Sequence, residues 1–293
     1  MKKSIQFIIL TFTVSWAAAG TAIFLGLRIT QSLAYIIFAS AYMLLPTVCA
    51  LILQIIHREK PFRNLNLSFR LNRWFLIAGI VPIAYTFMAL GINLLIPNVS
   101  FSWAYEGLLA GLSKDQAELA MQQLSRFPPA IFLMLQIGSA LIAGYTINAL
   151  LGLGEELGWR GYLLNALQHK KLLPASLLIG TVWGLWHFPL ILLGHNYPQH
   201  PIPGVGMMVV FCILLTPMML YIVIKSKSVI PAAIFHGSNN AIAGISGLYL
   251  VGGNDITNGL SGIAGFIALL LANLIFFLFD RFIAKEDLFA KEI

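Results

Sequence analysis

Apolar residues run along this chain in blocks of about twenty, set apart by short polar stretches and without strict alternation inside a block. Eight blocks stand out: Ile5–Leu27, Ser32–Ile56, Trp74–Ile96, Pro129–Leu153, Leu172–Leu193, Val205–Ile224, Val229–Leu250 and Leu260–Ile283. Each is long enough to cross a hydrocarbon layer of roughly 30 Å as a helix. A backbone in hydrocarbon must satisfy its own N–H and C=O groups, which leaves helices or closed barrels. Without period-two patterning, helices are selected. The prediction is an all-α polytopic transmembrane bundle of about eight spans around a buried polar cavity. One membrane domain takes the whole chain, 1–293: N-terminal spans and an external lead-in over 1–143, core spans over 144–250, and the last span with a cytoplasmic tail over 251–293. The more polar stretch Asn98–Pro128 predicts an amphipathic external helix around Lys114–Leu124. The basic start and the small residues Ala17–Gly20 have the form of a signal peptide, but the apolar run continues through Ala22, Ile23, Phe24 and Leu25 and reads as an uncleaved first helix.

Composition agrees: 59% of residues are hydrophobic and 10% charged, against roughly 25% charged in soluble domains. The net charge of +7 raises the question of nucleic acid, and the placement of the basic residues answers it. With the N-terminus in the cytoplasm, Lys2, Lys3, Arg58, Lys60, Arg63, Arg70, Arg73, Arg160, Lys170, Lys171, Lys225, Lys227, Arg281, Lys285 and Lys291 fall on or nearest the cytoplasmic side. Only Arg28, Lys114 and Arg126 fall outside, a split of fifteen to three. The positive-inside rule puts both termini in the cytoplasm, in what reads as a bacterial plasma membrane. Membrane orientation accounts for the basic residues, and no nucleic-acid partner is expected. Cys49 and Cys212 lie in apolar runs and read as small buried hydrophobes.

Most acidic residues sit where a membrane protein can afford them. Glu59, Glu106, Asp115, Glu118 and Asp255 fall in loops, and Asp280, Glu286, Asp287 and Glu292 at or beyond the cytoplasmic end of the last span. Glu155 and Glu156 do not, and a carboxylate at membrane depth costs roughly 2.5 kcal/mol or more, so its default reading is functional. Glu156 and Arg160 are four apart and pair on a helix, which lowers the cost of burying both. Glu155 lies about 100° around and shares its face with Trp159 and Tyr162, free to act as a base. Of the histidines, His57, His169, His195 and His200 fall in loops or at span ends. His187 and His236 are intramembrane, and Asn240 lies one turn beyond His236 on the same face.

Depth tests whether these groups meet. His187 lies roughly 21 Å, and His236 roughly 14 Å, above the cytoplasmic start of their spans. A span over Pro129–Leu153 leaves Glu155 near the surface. A span over Gly144–Leu167, with Pro129–Ala143 as an external or oblique lead-in, raises Glu155 to roughly 21 Å. The second placement is preferred, and its glycines Gly144, Gly152, Gly154, Gly158 and Gly161 let neighbouring helices approach closely.

A carboxylate beside a histidine can hold and deprotonate a water, and a histidine and an asparagine can donate to a developing oxyanion. No serine or cysteine is placed as a nucleophile, and Ser238 lies off the His236/Asn240 face. The set suits water attack on a carbonyl. Glu155, His187 and His236 are alternatively a ligand set for a divalent metal such as zinc, although the HExxH signature is absent.

Three motifs carry a resemblance: Glu155-Glu156-x-x-x-Arg160, Trp183-x-x-x-His187 and His236-x-x-x-Asn240. In this order, on separate spans, they resemble the CAAX protease and bacteriocin-processing (CPBP, or Abi) intramembrane proteases, which include the type II CAAX prenyl endopeptidases. The family often has Phe at the position of Trp183. The resemblance covers about Gly144–Leu250, and the first three spans add nothing to it. It implies that Glu155 and His187 activate water, that His236 and Asn240 form an oxyanion hole, and that Glu156 and Arg160 brace the site. It also implies an intramembrane endopeptidase of the glutamate-dependent or metalloprotease kind, whose partner is a membrane-associated or lipid-modified peptide or membrane-protein segment. Two other readings stand beside it. One is a proton- or cation-coupled transporter, against which no inverted repeat is found; the other is a non-catalytic scaffold or immunity protein.

Overall fold

A computed structural model describes residues 2–27, 33–109 and 112–292. Arg28, one of the three basic residues expected outside, lies beyond the described residues. The chain is all-α: α1 Lys3–Phe24, α2 Leu33–Ile56, α3 Arg73–Asn93, α4 Glu106–Leu109, α5 Lys114–Leu124, α6 Pro129–Tyr145, α7 Ile147–Glu156, α8 Leu172–Trp186, α9 Phe188–Leu192, α10 Pro201–Ser226, α11 Ile230–Ile242, α12 Ile245–Tyr249 and α13 Ile263–Leu278. Wide helical turns of the π type extend α7 over Leu157–Leu163 and α13 over Phe279–Ala284. One two-residue strand pair, Ser100–Phe101 with Leu250–Val251, ties two loops together.

Five helices are continuous, apolar and long enough to cross a membrane: α1, α2, α3, α10, and α13 with its π extension. The sixth candidate is α5 with α6, bent by 90° between them. This makes the chain an integral membrane protein. The other three expected spans are interrupted. The one over Gly144–Leu167 starts at a break at Thr146 (φ −122°, ψ −104°) and becomes a π-helix at Leu157. The next stops at Trp186 and restarts as α9, and that over Val229–Leu250 is split into α11 and α12. Irregular backbone at membrane depth is tolerated where it lines a cavity, and these three segments are the ones that carry the candidate site residues Glu155, His187, His236 and Asn240.

Several expectations are met. The amphipathic helix expected around Lys114–Leu124 is α5, closed by a capping box in which Ser113 and Gln116 each accept from the other's backbone N–H. Cys49 and Cys212 are buried free thiols. The first helix packs into the core through Phe7, which contacts Trp159 and Tyr162. Asp280 lies at the end of the last span, as expected, and is buried there, with the Tyr221 hydroxyl donating to its carboxylate at 3.2 Å.

Small residues set how closely the helices pass. A side chain at Gly152 would approach the Ala233 carbonyl at 3.2 Å, and one at Gly158 would reach Pro46. Gly237 on α11 is faced only by backbone: an added Cβ would sit 2.6 Å from the Ala149 nitrogen and 2.7 Å from the Asn148 carbonyl carbon. Gly237→Ala must therefore prise α11 from α7, at an overpacking cost of about 1–3 kcal/mol. The expected result is a lower thermal unfolding midpoint in detergent. Gly20→Ala, with open space around it, serves as the unchanged control.

Candidate active site

The site begins with the double glutamate at the end of α7. Glu156 and Arg160 are fully buried and paired, Arg160 Nη1 donating to Glu156 Oε1 at 3.1 Å. The same oxygen also faces His236 Nδ1 at 2.8 Å, and since a carboxylate oxygen accepts, that nitrogen carries the proton. Arg160 Nη2 donates to Thr216 Oγ1 at 3.0 Å. The expected brace is present, and it extends to a residue from the expected working set.

Glu155 turns the other way. Its Oε2 accepts from the indole N–H of Trp183 at 2.7 Å. The expected common face with Trp159 and Tyr162 is not formed, because those two rings pack on Phe7 and the π-helix beginning at Leu157 changes the register beyond Glu155. Trp183 also lies under the Arg160 guanidinium, 4.2 Å from ring centroid to Cζ, and its ring is 5.4 Å from that of His236. One indole thus holds the carboxylate and packs against the brace.

His187 sits where α8 ends. Pro189 lacks the N–H that would continue the ladder, and the Leu190 N–H bonds to the His187 carbonyl instead of that of Trp186. The Trp186 carbonyl so released accepts from Tyr42 Oη at 3.1 Å and Trp16 Nε1 at 3.3 Å. The His187 ring donates from Nδ1 to the Trp183 carbonyl at 2.8 Å, which leaves Nε2 as its lone-pair atom. The third motif lies on α11, where His236 is buried and Asn240 exposed to the cavity. Ser238 points away and abuts Gly144.

Glu155, Trp183, His187, His236 and Asn240 all line one cavity of ≈ 800 Å³. The structure therefore brings the four expected working residues together, with Glu156 and Arg160 behind them. It also adds residues that single-chain spacing did not reveal. Tyr42 lines the cavity and supports the α8 break. Tyr85 donates to Asn239 Oδ1 at 2.6 Å, and Asn239 Nδ2 reaches Asn240 Oδ1 at 3.4 Å, so the Asn240 NH2 is the end left for donation. Tyr42, Trp16 and Tyr85 come from the first three spans, which thus contribute to the site. Only the double Asn239-Asn240 signalled any of this in the sequence.

The expected metal set does not assemble as such. Among the described residues no three His, Cys, Asp or Glu side chains group as metal ligands, and Glu155 Oε2 is already committed to Trp183.

The Trp183–Glu155 bond makes an otherwise conservative change informative. Trp183→Phe keeps an aromatic face under Arg160 but removes the N–H that holds the carboxylate. A hydrogen bond to a charged group contributes about 1.5–3 kcal/mol, so kcat should fall by about tenfold or more with KM little changed. Steady-state cleavage of a membrane-anchored peptide checks this, and an unchanged kcat would remove Trp183 from the site.

Comparison with known proteins completes the assignment. Residues 137–242 match the family described as Type II CAAX prenyl endopeptidase Rce1-like. The chain is also 28% identical over 233 residues to CAAX prenyl protease 2 of Methanococcus maripaludis, covering 77% of this chain and 78% of that protein. The matched segment contains all three motifs, on α7, α8 and α11. Over residues 137–242, the segment that carries the site, this chain is thus similar to the type II CAAX prenyl endopeptidases.

Proposed function

We propose that this protein is an intramembrane endopeptidase that hydrolyses a peptide bond of a membrane-associated or lipid-modified peptide with an activated water. The observation that carries it is the convergence of Glu155, His187, His236 and Asn240 from three interrupted helices on one cavity. A water between Glu155 and His187 Nε2 loses a proton to the Glu155 carboxylate while its oxygen bonds to the scissile carbonyl carbon. The carbonyl oxygen takes the negative charge and receives hydrogen bonds from Asn240 Nδ2 and from Nε2–H of His236, which acts as an imidazolium protonated on both nitrogens with its Nδ1–H held by Glu156. The tetrahedral intermediate collapses, the C–N bond breaks, and the proton on Glu155 passes to the leaving amine. Atoms and charge balance without a covalent enzyme intermediate.

The distribution of basic residues supports an orientation with both termini in the cytoplasm. The bilayer and a peptide or membrane-protein segment are the partners, and nucleic acid is not among them.

The test is cleavage of a membrane-anchored peptide by purified protein in proteoliposomes made up in water enriched in oxygen-18. One heavy oxygen in the new C-terminal carboxylate is the expected result. A parallel sample treated with a chelator reads metal dependence: retained activity fits the mechanism above, and loss restored by a divalent ion overturns it. No cleavage, together with pH-dependent ion flux, would favour the transporter reading.

A further inference from the structure

The cavity holds a third histidine that the water-attack mechanism does not use. By sequence His195 falls in a loop, yet it lines the same cavity as Glu155, His187 and His236. The turn that puts it there is a Schellman motif at the end of α9. The Gly194 N–H donates to the Ile191 carbonyl at 2.8 Å, and the His195 N–H reaches back to the Leu190 carbonyl at 3.1 Å. Gly194 takes φ +101°, which its lack of a side chain allows. The residue after such a glycine commonly packs an apolar side chain on the last turn of the helix. Here it is a histidine, tied back to Leu190, which also lines the cavity. Leu190 is one turn beyond His187, its N–H bonded to the His187 carbonyl. The two histidines therefore stand within roughly 10 Å of each other.

The ring is oriented as well as placed. The Tyr35 hydroxyl of α2 lies 2.7 Å from His195 Nδ1. An imidazole nitrogen is a stronger acceptor than a phenol oxygen, so Tyr35 donates and the proton of the neutral ring sits on Nε2. A protonated ring carries that Nε2–H as well. Ala39, one turn along α2 from Tyr35, lines the cavity, and Tyr35 does not. The Nδ1 edge thus faces the wall and the Nε2 edge the cavity. Glu106, Glu155 and Asp255 line the same space, and among the described residues no lysine or arginine does. The charge on His236 is matched by Glu156. An anionic group such as a free C-terminal carboxylate is disfavoured in these surroundings, whereas a neutral carbonyl is not.

We infer that His195 is a substrate-binding residue, its Nε2–H donating to a backbone carbonyl of the bound peptide within about three residues of the scissile bond. The spacing follows from an extended chain, which covers roughly 10 Å in three residues. A donor at that point fixes the register of the chain across Glu155 and His187 without joining in proton transfer. Tyr35 is a positioning residue that acts through it. That the bound molecule is a peptide rests on the peptidase reading.

Steady-state cleavage of a membrane-anchored peptide tests this, alongside binding of the same peptide measured on the inactive Glu155→Gln background. One neutral hydrogen bond is worth about a threefold to tenfold change, so His195→Ala should raise KM by about that factor with kcat little changed. His195→Gln keeps an N–H donor and should recover most of the loss, and Tyr35→Phe should raise KM by about twofold. A peptide series in which one C=O at a time becomes an alkene isostere identifies the partner. Replacement at one position should raise KM for the native protein and leave that of His195→Ala as it is. An unchanged KM in His195→Ala overturns the proposal, and so does a fall in kcat and unfolding midpoint that His195→Gln does not reverse. Isostere effects that add to that of His195→Ala at every position overturn it too. If the native protein binds the peptide but cleaves nothing, and His195→Ala weakens that binding by the same factor, the peptidase reading falls and the binding role stands.

Discussion

Glu155→Gln should reduce peptide cleavage by about 10³-fold, within the range typical of losing a general base, while the protein still folds. The amide is isosteric, and its oxygen can still accept from the Trp183 indole N–H that holds Oε2 at 2.7 Å. What it cannot do is take a proton from water. Burial of the carboxylate is costly, so the glutamine variant should unfold at the same temperature as the native chain or higher. Gain of stability with loss of activity is the signature of a residue kept for chemistry. Measured kcat and thermal unfolding in one detergent separate the outcomes: full activity would remove Glu155 as the base, and collapse of the fold would make it a structural residue. The inactive, folded variant is also the form with which to trap a natural substrate in membranes.

What the sequence made legible follows from the periodicity of a helix. Glu156–Arg160 and His236–Asn240 lie within one turn, so spacing alone paired them, and the cost of charge in hydrocarbon marked them for attention. Depth along the spans then put Glu155 level with His187. Contacts between helices were a different matter. Glu156 meets His236 across eighty positions, and Trp183 meets Glu155 across twenty-eight; no local period encodes either. The facing of Glu155 was misread because an ideal 3.6-residue turn was assumed where the chain adopts a π-helix. The breaks at Thr146 and His187 could be sensed only as difficulty in fitting unbroken spans, although Pro189 gave a hint at the second.

Glu156 should be the residue whose loss costs most in stability, because its Oε1 serves two buried partners, Arg160 Nη1 at 3.1 Å and His236 Nδ1 at 2.8 Å. Glu156→Ala leaves a guanidinium in the core with only Thr216 Oγ1 and the Trp183 ring to receive it. Breaking a buried pair from one side typically costs about 3–5 kcal/mol, so the variant should unfold far earlier than the native chain and lose activity with it. That result alone would not distinguish a brace from a group that tunes His236. The double variant Glu156→Gln with Arg160→Met does, because it removes both charges and fills their volume. Replacing a buried pair as a unit is often near neutral, so unfolding should return close to the native midpoint. Activity should stay down by about tenfold or more, since His236 has lost a charge-assisted hydrogen bond of about 1.5–3 kcal/mol. Recovery of both stability and kcat would make the pair purely structural. Recovery of stability alone would show that the second glutamate of the motif holds the helices together and also sets the histidine that faces the substrate.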